Sequence, residues 1–132
     1  MKINLKSTLK NITENEQSID KTIAKKEKNK ITYQINDENY IIKKISLNKL
    51  ILVRSNNAIE CIMLFEKNKK TTSQYHLKED AYTIEIEIKT TKLEISDHQI
   101  IIKYTVIDSN TNYEYKIEMS EEKWAWKKNY PQ

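Results

Sequence analysis

Apolar and polar residues alternate with period two along most of the chain, most clearly where Tyr82, Ile84, Ile86 and Ile88 interleave with Thr83, Glu85, Glu87 and Lys89. Successive side chains of a strand point to opposite faces, so this spacing predicts a strand with one buried face and one wet face, Glu85 and Glu87 on the wet one. The same rule picks out Ile3–Leu5, Ile19–Ile23, Ile31–Ile35, Leu50–Leu52, Ile59–Phe65, Ile100–Val106 and Tyr113–Met119, with a more polar strand at Thr71–Leu77. About nine strands are expected on that count.

Two departures from simple alternation carry information. Between Tyr82 and Ser96 the apolar set sits on even positions up to Ile88 and on odd positions at Leu93 and Ile95, so the phase slips by one residue near Thr90 and Thr91. A β-bulge or corner is the economical cause, because a bulge inserts one residue and re-aims the strand. The segments Leu50–Val53 and Ile59–Phe65 are apolar on both faces, which predicts partial cover on their outer side or pairing with the chain ends. Many short strands, short polar turns and no long amphipathic helix predict an all-β, antiparallel meander closed into a barrel of about eight to ten strands, since closure removes exposed edges. Residues 1–132 read as one domain. The tail 120–132 holds Trp124 and Trp126 and reads as a short helix capped by Ser120, or an extended tail, that plugs one end of the barrel, covers an edge or contributes to a partner surface.

Glycine is absent, which matters because tight turns need positive φ. Asn and Asp are expected to take that role at Asn36–Asn39, Asn56–Asn57, Asn68, Asp97 and Asp108–Asn110. The net charge of +4 arises from 23 basic residues mixed with 19 acidic ones, a mixed surface and not a single basic stripe. The run Lys25–Lys30 reads as a solvated hairpin tip. No apolar run is long enough to span a bilayer, the start lacks a leader-like apolar stretch, and the lone Cys61 fits a reducing compartment, so a cytoplasmic location without membrane insertion is expected.

Chemistry-bearing constellations are sparse. One cysteine and two distant histidines, His76 and His98, give no metal-ligand spacing and no nucleophile beside an oriented base, so neither a metal nor a catalytic residue is assigned. Phosphate-cradling and dinucleotide-binding loops depend on glycine, and no cofactor is expected. Arg54 is the only arginine, and its planar fork suits a carboxylate or phosphate, either as an anchor for an anionic ligand at a barrel mouth or as a structural ion pair.

The order of segments then becomes informative: LILVRS ending at Ser55, CIMLFEKNKKT from Cys61 to Thr71, Tyr75, and IKTTKLEI from Ile88 to Ile95. From Met1 to about Glu118 the chain resembles the YwiB-like family of uncharacterised bacterial proteins, whose fold is a calycin-like (lipocalin-like) β-barrel. Arg54, Cys61, Phe65 and the pair Lys69–Lys70 stand at positions of the family pattern. Asn57 and Asn68 replace its two glycines, and Leu77–Tyr82 replaces its threonine-proline-tyrosine-glycine turn. The resemblance implies the barrel and no established activity.

The expectation from the fold is a non-enzymatic binding protein holding a small apolar or amphipathic ligand, with Arg54, Tyr75, His76 and Tyr104 as candidate anchors at the mouth. The alternative is a protein or nucleic-acid interaction module using Lys43, Lys44, Lys69, Lys70, Lys127 and Lys128 near aromatic residues, nucleic acid being the less expected partner. A monomer or homodimer is expected.

Overall fold

The computed structural model describes residues 1–121. Ten antiparallel strands follow one another in a meander: β1 (Lys2–Asn11), β2 (Glu16–Glu27), β3 (Lys30–Ile35), β4 (Glu38–Ser46), β5 (Lys49–Ser55), β6 (Ile59–Glu66), β7 (Lys70–Leu77), β8 (Tyr82–Ile95), β9 (Gln99–Val106) and β10 (Thr111–Glu121). Each pairs with its sequence neighbours, and β1 pairs with β10 from Ile3↔Glu121 to Asn11↔Tyr113, which closes the barrel. The expected tail helix lies outside the described residues. Among the described residues no helix is long and apolar enough to cross a membrane.

Nine of the strands coincide with the alternating segments; β4 is the addition. Its apolar residues Tyr40, Ile41 and Ile42 run together and mask the period, because Ile42 packs into the core while Ile41 lies half-buried on the outer face. The phase slip is a bulge: Thr90 pairs with Tyr104 and Lys92 with Lys103, leaving Thr91 outside the ladder. Positive φ occurs at Asn36, Asn68 and Asn110 as the turn chemistry requires, and also at Asn15 and Ala81. At Asn56 the turn forms differently from expectation. The Asn56 side-chain oxygen accepts from the Ala58 and Ile59 amides at 2.8 and 2.9 Å, so no left-handed residue is needed. Ser96 plays the same part beside Asp97, accepting from the His98 and Gln99 amides.

One facial expectation is corrected. Ile19 and Ile23 are 49% and 47% exposed, and the inward residues of β2 are Asp20, Thr22 and Ala24. For β5 and β6, pairing with the chain ends is not seen among the described residues, where their ladder partners are β4, each other and β7; their outward Ile51, Val53 and Leu64 are half-buried and Ile62 is exposed. The Lys25–Lys30 run does form the β2–β3 tip.

The interior divides into two halves along the barrel axis. Around the end carrying the β2–β3, β4–β5, β6–β7 and β8–β9 turns, Ile3, Leu5, Ile31, Ile42, Leu50, Phe65, Leu93, Ile100 and Ile117 form a closed apolar core. Burying such side chains stabilises by roughly 1.5–3 kcal/mol each, so this half supplies most of the driving force. The opposite half is built differently.

Candidate functional site

Eight strands make an interior that side chains just fill, and ten make a wider one. In the half that carries the β1–β2, β3–β4, β5–β6, β7–β8 and β9–β10 turns, small and polar inward residues such as Ser7, Ser18, Asp20 and Ser73 leave that extra width open. The result is a cup of about 640 Å³. One strand traces the change. Along β8 the inward Ile88 is 0% exposed, Ile86 is half-buried, and Ile84 is 42% exposed, although all three belong to one unbroken apolar pattern.

Strand register sets the cup wall. Tyr33 pairs with Tyr40, Tyr40 with Arg54, Arg54 with Cys61, Cys61 with Tyr75, and Tyr75 with Ile84, giving one row across β3 to β8. Tyr33 and Tyr40 stack with ring centroids 4.9 Å apart, and Tyr104 stacks on Tyr113 at 5.2 Å. Below them the Ser7 hydroxyl donates to the Tyr115 hydroxyl at 3.2 Å, and Tyr115 is joined to Tyr33 at the same distance. Two members of this hydroxyl chain, Ser7 and Tyr115, line the cup, and Tyr33 and Tyr115 also belong to the apolar core.

Arg54 is held from two sides: its Nε lies 3.2 Å from Glu38 Oε2, and its Nη2 donates to the Tyr75 hydroxyl at 3.2 Å. Burial works against its charge, but Tyr75 and Glu38 outweigh it and the guanidinium pKa is raised. Burial pushes the Cys61 thiol up, although the hydrogen bond with Tyr75 and the charge of Arg54 pull the other way, so the thiol stays protonated at neutral pH. Tyr75 is raised chiefly by burial. Tyr40 is pushed up to about 12 by burial and then by the charge of Glu38. Tyr104 is raised further, by burial first and by Tyr113 next. All these phenols are neutral hydrogen-bonding groups at physiological pH.

Three of the four candidate anchors, Arg54, Tyr75 and Tyr104, line the cup. His76 does not join them: it follows Tyr75 in the strand, faces outward, and its Nδ1 lies 3.0 Å from Thr83 Oγ1. Arg54 is ion-paired with Glu38 and also stands on the cup wall. Sequence reasoning missed Asp20, Glu38, Tyr40 and Ser73. Asp20 is in phase with Ala24, and Tyr40 with Ile42, so parity counted from the core would have placed them inside. Ser73 is 1% exposed, lines the cup, and its hydroxyl has no hydrogen-bond partner among the described residues.

No family model matches the chain, and no curated protein matches its sequence. Among solved structures the chain is similar to the crystal structure of the YwiB protein from Bacillus subtilis, with a TM-score of 0.67 at 17% identity, covering 91% of this chain and 89% of that one. The two share the barrel fold over nearly their whole lengths. The structural likeness is consistent with the resemblance in segment order to the YwiB-like family.

Proposed function

We propose that the chain is a binding protein that holds one small amphipathic molecule in the open half of its barrel. The observation that carries this reading is the cup itself, a cavity of about 640 Å³ in line with a solid core. A volume in this range is typical of sites for small molecules, as is an apolar lining punctuated by a few polar groups. The chemistry of the wall favours holding over reacting: the thiol and the phenols stay protonated, and both histidines face outward.

Native mass spectrometry of protein purified from expressing cells, together with a titration of the neutral dye Nile red, tests the reading. A stoichiometric adduct or saturable dye uptake is expected, lost when the cup is filled by Ile86→Trp. Bare protein that takes up no dye would overturn the proposal.

A further inference from the structure

The walls of the cup are not equivalent. Around a ring of ten strands, β8 stands five places from β3 and so faces it across the barrel. The β8–β9 wall presents Ile84, Ile86, Val106 and Tyr104, whereas across the barrel β3 presents Ile35 and its neighbours β2 and β4 present Asp20, Glu38 and Tyr40. The carboxylates of the cup therefore all lie on the side away from the isoleucines of β8.

The charges on the wall do not cancel. Two carboxylates, Asp20 and Glu38, and one guanidinium, Arg54, line the cup. Glu38 is spent on Arg54 at 3.2 Å. Asp20 has no ion pair and no side-chain hydrogen bond among the described residues, and Ser7, its partner across the ladder, directs its hydroxyl to Tyr115. The position of Asp20 also gives it room. β2 is zipped to β3 only at Lys25–Glu27 with Lys30–Thr32, so the wall beside Asp20 is not continued by a ladder to β3. A free carboxylate near a tyrosine face is the chemistry that receives an organic cation, by ion pairing and by attraction to the ring quadrupole. An anion would instead have to displace Glu38 from Arg54 and would then face two unpaired carboxylates.

Resting on the binding reading above, we propose that the occupant is a cationic amphipath, an alkylamine with its ammonium at Asp20 and its hydrocarbon on the isoleucine wall of β8.

Calorimetric titration at neutral pH with three probes of equal chain length, octylammonium, octan-1-ol and octanoate, tests this. Octylammonium is expected to bind tightest, by about tenfold or more over octanoate, as one charge-assisted contact implies. Asp20→Asn should remove that preference and leave octanol binding unchanged; Asp20→Ser serves as a second variant, with folding of both checked by circular dichroism. Octanoate binding more tightly than octylammonium, or equal loss of all three probes in Asp20→Asn, would overturn the charge assignment. Octanol binding without any preference for the ammonium would overturn it while leaving the cup reading in place. Failure of all three probes to bind would overturn both.

Discussion

The two halves of the barrel are made by the same strands and the same alternation, yet one is filled by apolar side chains along its axis and the other encloses a cup. Two residues of β6 on the same inward face make the contrast concrete: Phe65 is fully buried in the closed half, and Met63 is half-buried on the cup wall. β8 shows the same transition from Ile88 to Ile84. On β6 and β8 the apolar pattern specifies which face is inward, while side-chain volume decides whether the inside is filled.

The largest effect is expected where that contrast is sharpest. Phe65→Ala should cost about 3–5 kcal/mol in urea unfolding, by lost transfer energy plus the cavity it leaves, whereas Met63→Ala should cost about 1 kcal/mol because its site is already open. Equal costs at the two positions would mean that the cup is packed like the core. Raising the pH probes the boundary between the halves. Tyr40 has its pKa raised from 10.0 to about 12 in the folded protein, and Tyr33 and Tyr104 are also raised, all chiefly by burial. The folded state therefore binds protons more tightly than the unfolded chain. Stability from this source is complete below pH 10 and falls as the pH rises from 10 to about 12, where tyrosinate absorbance should appear together with unfolding. A melting temperature that holds level through that window would contradict the burial of these phenols.

Within the cup, Ser73→Ala removes a buried hydroxyl that has no partner. It should leave stability unchanged or raise it by up to about 1 kcal/mol in the same unfolding assay, unlike the losses typical of core truncation. The smallest effect is expected at the cup rim. Ala81 has φ 50°, in the region that costs an L-residue about 1–2 kcal/mol, so Ala81→Gly should gain up to about 1 kcal/mol after the entropy of glycine is counted.

The pattern that made the fold legible also explains what stayed hidden. Ile84, Ile86 and Ile88 announce an inward face, and the slip to Leu93 and Ile95 announces the bulge at Thr91. On β2 the same reasoning inverts, because Ile19 and Ile23 are outside and Asp20 and Thr22 are inside. A rule equating apolar with inward fails where the interior is a polar-walled cup, which is why Ile19 is misplaced and Asp20 and Ser73 are missed. Tyr75 and His76 show a simpler limit: adjacent strand residues point to opposite faces, and only one of the two can enter the cup. The Glu38–Arg54 ion pair depends on the β4–β5 register, and Asp20 reaches the same cup from β2 through closure of the barrel; no local spacing encodes either.

The difference between the halves is tested most directly by the isoleucine methyl spectrum during titration with octylammonium. The account predicts saturable shifts at Ile84 and Ile86 on the cup wall, with Ile3, Ile42 and Ile117 of the closed core unmoved. Shifts confined to the outward Ile19 and Ile23, or no shift in any methyl with octylammonium, octan-1-ol or octanoate, would contradict a ligand-holding cup.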